Sequence, residues 1–370
     1  MNTGSAFISV GYSAVDRHTD RSIVSYAREA ALDALRAAGI ERDQIDGYVG
    51  IGQNPNPSAV AGDGADHVSA YLMVGSLGLT GLSWASDVSG FAVNMAATAA
   101  AAIASGQCTT VLGVRAVHHG AGPAPSPDAG TRAAGTAQWT LPFGAGPGGT
   151  RFGIRMRQYL ERSGARREDV WAVVDAARAH ARDNPVAHFR DRALTLEKYL
   201  AAPMISDPLS LYDCDLPVSG AGAFVMTSAE AARREDRPAA YLRAHANWTN
   251  ADSILDRAGL APGDIDVLQL YDGYSFMLYE WLERLGWCEE YTAWKFVAEG
   301  RTRPGGDLPV NTFGGALGEG RLHGMGHLRE GIAQILGVAG PRQVQKVDHC
   351  LVQIGPFDRS ALAVLSRDAA

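Results

Sequence analysis

The chain has 370 residues, of which 46% are hydrophobic and 20% are charged, and its formal net charge is −7. This composition is that of an ordinary globular protein with a sizeable core, and the length exceeds what one core usually serves, so two halves are expected. The acidic balance argues against nucleic acid as a partner. The cysteines are scattered without a C-x-x-C pair, so neither a disulfide framework nor a zinc site is predicted.

Neither a signal peptide nor a membrane span is predicted from the sequence. Its N-terminal stretch, MNTGSAFISVGYS, lacks the basic and long apolar regions of a signal peptide. The most apolar run, residues 91–105, is mostly alanine and too short to span a bilayer. We therefore expect a cytoplasmic protein that has no membrane partner.

Strand-like and helix-like stretches alternate along the chain, which is typical of α/β layers. Residues 6–12 are predicted as a strand, residues 25–38 as an amphipathic helix closed by Gly39, and residues 45–51 and 109–114 as further strands. Residues 115–150 are rich in Gly, Pro and Ala and predict a long excursion over the core, in which Trp139 and Phe143 are expected to line an acyl pocket. Helices are predicted at 156–181 and 194–201.

A short internal repeat indicates a duplicated half. The segment AGIERDQID at 38–46 recurs as AGLAPGDID at 258–266, and each copy joins a helix to a strand. The alanine-rich helix after Gly90 has a counterpart in a glycine-rich turn and helix at 324–336. Duplication would account for both the length and the alternation.

Residues 86–90, SDVSG, form the framework of a nucleophile site without a nucleophile. A small glycine-containing turn before a tightly packed helix can aim a reactive side chain and backbone N–H groups at an acyl carbonyl. This turn contains Asp87 and no cysteine. A carboxylate cannot replace a thiolate in holding an acyl group as a thioester.

Four segments, in order and spacing, resemble the thiolase superfamily in its sterol-carrier-protein-x and lipid-transfer branch. They are AGIERDQIDG, SDVSG with its alanine-rich helix, the run from Ala176 to Glu230, and QLYDGYSF at 269–276 with GGALGEGRLHGMGH at 314–327. The resemblance implies the thiolase fold: two similar βαβαβαββ halves in an αβαβα sandwich. Residues 1–114 and 205–240 would form the first half, 241–370 the second, and 115–204 an inserted loop and helical region lining the substrate site.

The resemblance also shows which chemical groups differ. A thiolase needs a nucleophilic cysteine, a histidine from a Gly-His-Pro turn, an acid/base cysteine near the C-terminus, and an Asn or His at a strand end. These positions correspond here to Asp87, Arg321, Gln353 and Tyr271. Claisen condensation and thiolysis are therefore not expected, and a condensing enzyme with an unconventional nucleophile ranks last among the alternatives.

The pattern is most similar to the thiolase-like aldolases that cleave steroid side-chain CoA thioesters. The runs YDGYS at 271–275 and LHGM at 322–325 match that sub-branch. It expects a second tyrosine where this chain has Arg321, which is a departure from the pattern. The resemblance implies a retro-aldol lyase with no cofactor or metal, and the alternative is a non-catalytic acyl-CoA-binding or scaffold subunit. It also implies a homodimer and a small partner protein with an OB-fold and a zinc ribbon.

A retro-aldol cleavage requires a base for the β-hydroxyl proton and donors for the enolate oxygen. Tyr271 is the expected base, with its pKa lowered by Arg321, and His323 is expected either to be the acid that protonates the enolate or to hold Tyr271 in place. Asp272 is either a further catalytic group or a brace for the following helix, and Asp87 is either substrate-binding or a favourable charge at a helix start. Backbone groups around four glycines complete the expected substrate site: Gly90, Gly314, Gly315 and Gly355. His323 and His327 have the spacing of a metal-binding pair, but no third ligand is evident.

Overall fold

Nine strands of the described chain form one mixed sheet that runs through both halves. The computed structural model describes residues 4–51, 68–118, 138–139, 141–144, 149–247, 253–356 and 359–369. Within these residues no helix is both long and apolar enough to cross a bilayer.

The elements of the first half are β1 (Ser5–Asp16), α1 (Ile23–Ala38), β2 (Gly47–Gly50), α2 (Ala70–Leu77), β3 (Trp84–Asp87), α3 (Ala92–Ala104) and β4 (Thr110–Val117). The middle of the chain contributes α4 (Gly149–Ser163), α5 (Arg167–Ala181), α6 (Leu196–Leu200), β5 (Met204–Ser206), β6 (Leu209–Ser210), β7 (Ser219–Ser228) and α7 (Ala229–Arg234). The second half contains β8 (Ala240–Asn247), α8 (Ile254–Ala258), β9 (Val267–Leu270), α9 (Met277–Arg284), α10 (Ala293–Ala298), α11 (Gly315–Gly318), α12 (Met325–Leu336), β10 (His349–Ile354) and β11 (Ala361–Ser366).

The sheet order shows the duplication. It runs β3-β2-β4-β7-β1 for the first half and continues β8-β11-β10-β9 for the second, in mirrored order. The two halves join where Ala6 and Phe7 of β1 pair with Tyr241 and Ala240 of β8. The second half differs in its third strand, which is reduced to one parallel bridge between Leu268 and Val310.

The repeated sequence segment has the same local structure in both halves, which confirms the predicted duplication. Helices α1 and α8 end at Gly39 and Gly259, which have left-handed φ values of 62° and 66°. The aspartate at the end of each repeat then ties two parallel strands together. Asp46 accepts backbone N–H bonds at the start of β4, and Asp266 accepts the equivalent bonds at the start of β10.

The buried side chains form three large clusters, which lie between the five layers expected of the thiolase fold. Helices α1 and α2 cover one face of the first-half strands. Helices α3 and α12 share a middle core with strand residues of both halves. The outer face of the second-half strands packs against α5, α8, α9 and α10. Cys350 lies in the middle core, as predicted for a structural cysteine.

The middle of the chain differs from the prediction in one respect. The continuous helix expected at 156–181 is two helices, because Gly164 adopts a left-handed φ of 72° between α4 and α5. The expected loop over the substrate site falls mostly on residues 119–137, 140 and 145–148, which lie outside the described residues. Its described aromatic side chains, Trp139 and Phe143, are exposed.

Candidate active site

Tyr271 directly follows β9, at the carboxyl end of the parallel strands. Its backbone N–H donates to Oε1 of Gln353 in the neighbouring strand β10, at 3.0 Å. The amide of Gln353 donates in turn to the carbonyl of Gly355, at 2.6 Å. Gln353 is fully buried. The residue at the thiolase C-terminal cysteine position is therefore an internal brace that fixes the main chain at Tyr271.

Asp272 is buried and holds three hydrogen bonds. Its carboxylate accepts from the backbone N–H groups of Ala316 (2.8 Å) and Leu317 (3.2 Å) at the start of α11, and it contacts Nε2 of His327 at 3.1 Å. Gly315 allows this approach, because a Cβ there would lie 2.0 Å from the carboxylate. These contacts agree with the expectation that Asp272 braces a helix. The helix that Asp272 caps is α11, however, and not α9, the helix that follows it in the chain.

His323 and His327, which have the spacing of a metal-binding pair, have different surroundings. His327 contacts Asp272, whereas His323 lines a separate cavity beside Gly90. Across the part of the chain that the structure describes, no three His, Cys, Asp or Glu side chains are grouped to hold a metal ion.

Arg321 pairs with Asp215, a residue to which the sequence analysis assigned no role. The Nη1 group of Arg321 donates to Oδ1 of Asp215 at 3.1 Å, and its backbone N–H donates to the carbonyl of Leu216 at 2.8 Å. The backbone N–H of Asp215 donates to the carbonyl of Gly273 at 3.0 Å. The segment around Asp215 therefore lies between the Tyr271–Gly273 loop and the turn that carries Arg321.

Burial raises the pKa of Asp215 to about 6. The Arg321 guanidinium opposes this rise, and the nearby Asp272 carboxylate adds to it. Only 8% of the Asp215 side chain is exposed. The carboxyl group thus changes its charge near neutral pH, which is the range that a general acid or base needs.

The expected lowering of the pKa of Tyr271 is wrong. The pKa of Tyr271 lies well above its ordinary value because the ring is largely buried and because Asp215 is negatively charged. Arg321 does lower this pKa, as expected, but burial outweighs it. Tyr271 is accordingly a neutral phenol at physiological pH.

A cavity of about 420 Å³ lies against this cluster. Its wall includes Asp215, Arg321 and Tyr274, whose ring stacks on Phe152 at 4.2 Å between centroids. Arg178 of α5 also lines it, with its guanidinium 3.3 Å from the ring centroid of Phe189. Polar and aromatic groups therefore line the same cavity.

A second cavity has a volume of about 570 Å³. It is lined by His323, Gly90 and Pro356, among others. His323 has a φ of 49°, a left-handed conformation that non-glycine residues rarely adopt and that often marks functional positions. Gly355 lies against this site, because a Cβ there would be 2.5 Å from the ring of Phe91. The structure thus brings the SDVSG turn, His323 and the Gly355 turn together.

Asp87 caps a helix. Both of its carboxylate oxygens accept the backbone N–H of Ala70, the first residue of α2, at 2.9 and 3.0 Å. Asp87 is therefore a favourable negative charge at the start of α2, and not at the start of α3, the helix that follows it in the chain. Gly314, in turn, packs against Ala181 of α5, where a Cβ would lie only 2.9 Å away.

Comparisons with known proteins agree with this arrangement. A family profile described as Thiolase C-terminal domain-like matches residues 232–367. The chain is 30% identical to the 17-hydroxy-3-oxo-4-pregnene-20-carboxyl-CoA lyase of Mycobacterium tuberculosis, over 95% of this chain and 96% of the relative. It is 31% identical to the steroid side-chain-cleaving aldolase of Thermomonospora curvata, over 98% of both chains.

A solved structure, the Ltp2-ChsH2(DUF35) aldolase, superposes with a TM-score of 0.86 at 28% identity and covers 99% of this chain and 98% of its own. The fold and the site thus define a thiolase-fold protein without the thiolase nucleophile. The chain belongs to the thiolase superfamily, in the branch of the steroid side-chain-cleaving aldolases.

Proposed function

We propose that this protein is a carbon–carbon lyase that cleaves a β-hydroxyacyl-CoA bearing a steroid side chain by a retro-aldol reaction. The products are a ketone or aldehyde and a short acyl-CoA. The observation that carries the proposal is which residues occupy the thiolase catalytic positions, in a chain that keeps the thiolase fold, and what those residues contact. Asp87 caps α2 and Gln353 braces the chain at Tyr271, so neither is free to hold an acyl group.

The reaction needs no covalent enzyme intermediate. The β-hydroxyl loses its proton, its oxygen forms the carbonyl of the departing ketone, and the Cα–Cβ electron pair becomes an acyl-CoA enolate. The enolate then takes a proton at Cα. The largest catalytic contribution comes from groups that stabilise the enolate oxygen.

The two cavities are proposed to hold different parts of the substrate. The thioester is proposed to lie in the second cavity, where backbone groups at Gly90 and Gly355 and the side chain of His323 meet. The carbon skeleton with its β-hydroxyl would lie toward Tyr271 and the first cavity. As a neutral phenol, Tyr271 is suited to donate a hydrogen bond or a proton to the reacting atoms. Gly314 and Gly315 shape the wall by letting α5 and Asp272 approach closely.

The assembly is proposed to be a homodimer that works with a small acyl-CoA-binding partner containing an OB-fold and a zinc ribbon. Support comes from the structural neighbour, which is an aldolase of Ltp2 with the DUF35 part of ChsH2. The scattered cysteines of the present chain leave a zinc ribbon to a separate protein.

The test is product analysis. The chain, alone and with the partner, is incubated with 17-hydroxy-3-oxo-4-pregnene-20-carboxyl-CoA and, for comparison, with a linear β-hydroxyacyl-CoA. Release of the steroid ketone together with a short acyl-CoA is the expected result. A folded chain that releases neither product in either condition would overturn the proposal and favour a non-catalytic acyl-CoA-binding subunit.

A further inference from the structure

Asp215 differs from the other buried aspartate on the same loop. Asp213 accepts hydrogen bonds from Ser210, Tyr199 and Ser275, so both of its oxygens are used within the protein. Asp215 receives one such bond, from Arg321 to Oδ1. Among the described residues, none donates to its Oδ2.

Asp215 is also held rigidly in place. Its backbone N–H is bonded to Gly273 in the loop after Tyr271, and its side chain is anchored by Arg321. The carboxyl group forms part of the wall of the 420 Å³ cavity together with Tyr274 and Cys214. A fixed carboxylate with one oxygen unused, on the wall of a cavity, is an arrangement suited to accepting a proton from a bound ligand.

We infer that Asp215 is the catalytic base of the reaction and that Tyr271 acts as a protonated donor. The inference rests on the proposed function. Asp215 Oδ2 takes the β-hydroxyl proton while the Cα–Cβ bond breaks to give the ketone and the acyl-CoA enolate. The enolate Cα then takes one proton, and Asp215 loses the one it accepted, so the cycle neither consumes nor releases protons.

The surroundings of Asp215 are consistent with this role. Arg321 and His327 lower its pKa, whereas burial and Asp272 raise it, with a net value of about 6. Three other groups near Asp215, namely Tyr271, Tyr274 and Cys214, have pKa values raised by burial and stay protonated at neutral pH. Arg17 and Arg178 also line the cavity. The charge at Asp215 therefore changes as the pH passes through about 6.

The experiment compares Asp215→Asn with the wild type and with Asp256→Asn, a control at an exposed aspartate of α8. Wild-type lyase activity is established first, because its absence would refute the proposed function and not this inference alone. Asp215→Asn keeps the oxygen that accepts from Arg321 but cannot take a proton. We expect kcat to fall roughly 100-fold or more with CoA-ester affinity nearly unchanged, while the control keeps full activity.

Two further measurements keep the inference testable if Asp215→Asn folds poorly. The wild-type kcat/KM is expected to rise with pH through about 6, because the carboxylate is the active form. Added formate is expected to restore part of the turnover of Asp215→Ala by supplying the missing carboxylate. An active wild type that shows no acidic limb, or an Asp215→Asn variant with undiminished kcat, would overturn the role of Asp215.

Discussion

Arg321 and Asp215 form a partly buried ion pair, 3.1 Å from Nη1 to Oδ1. The pair links two segments that are far apart in the chain and places both charges on the wall of one cavity. Because the arginine offsets part of the burial cost, it keeps the carboxylate ionisable near neutral pH. A residue that departs from the aldolase pattern thus acquires a definite electrostatic task.

Removing the Arg321 cation should shift the pH dependence of the reaction. Arg321 lowers the pKa of Asp215, so Arg321→Gln is expected to raise that pKa and to move the acidic limb of kcat/KM above its wild-type position near pH 6. The measurement is a pH–rate profile of both proteins. An unchanged limb would show that the two charges do not interact in the working enzyme.

The hydroxyl of Tyr271 should matter for turnover more than for binding. Tyr271→Phe removes the phenol proton while the backbone bond to Gln353 remains. We expect kcat to drop about 100-fold with CoA-ester affinity nearly unchanged. The control is Tyr71→Phe, because Tyr71 is 93% exposed on α2. If Tyr271→Phe were as active as this control, Tyr271 would have no part in the mechanism.

We expect that Gly315 tolerates no side chain. The cost of the steric clash there can be separated from the cost of backbone strain. Gly315 and Gly337 both have left-handed φ values, 64° and 75°. A Cβ at Gly315 would clash with the Asp272 carboxylate at 2.0 Å, whereas one at Gly337 meets no atom within 4 Å. Gly337→Ala is expected to cost about 1 kcal/mol of unfolding free energy from strain alone, and Gly315→Ala roughly 3 kcal/mol. Urea unfolding measures both, and equal losses would contradict the packing of Asp272 against α11.

Restoring a cysteine at the nucleophile position should not restore thiolase activity. Asp87→Cys returns the thiol, but Gln353 and Arg321 still hold the positions of the second cysteine and the histidine. The variant also loses the cap of α2, which is expected to cost about 1 kcal/mol. The assay is CoA-dependent cleavage of acetoacetyl-CoA. Measurable thiolysis would mean that one residue alone separates the two chemistries.

The sequence predicted the repeated half well because its signals are local. Gly39 and Gly259 end helices through their own conformational freedom, and the alternation of apolar residues around Cys350 marks a buried strand. The break at Gly164 was not predicted, although residues 161–169, ERSGARRED, contain a glycine and only one apolar side chain.

The site was harder to predict because its chemistry depends on distant contacts. Asp215 meets Arg321 across 106 positions of chain, and no pattern around either residue signals the pair. The direction of the Tyr271 pKa shift was wrong for the same reason. Burial of the ring and the charge of Asp215 are properties of the folded cluster, and they exceed the effect of the one cation that the sequence suggested.

The central claim is cleavage through an acyl-CoA enolate without an acyl-enzyme. The most direct measurement is turnover of the steroid β-hydroxyacyl-CoA in D₂O, with mass spectrometry of both products and of the protein. The account predicts equal amounts of ketone and short acyl-CoA, a single deuterium on the Cα of the released acyl group, and a protein of unchanged mass. An acyl adduct on the protein, or a second thioester formed in place of the ketone at the expense of free CoA, would contradict it.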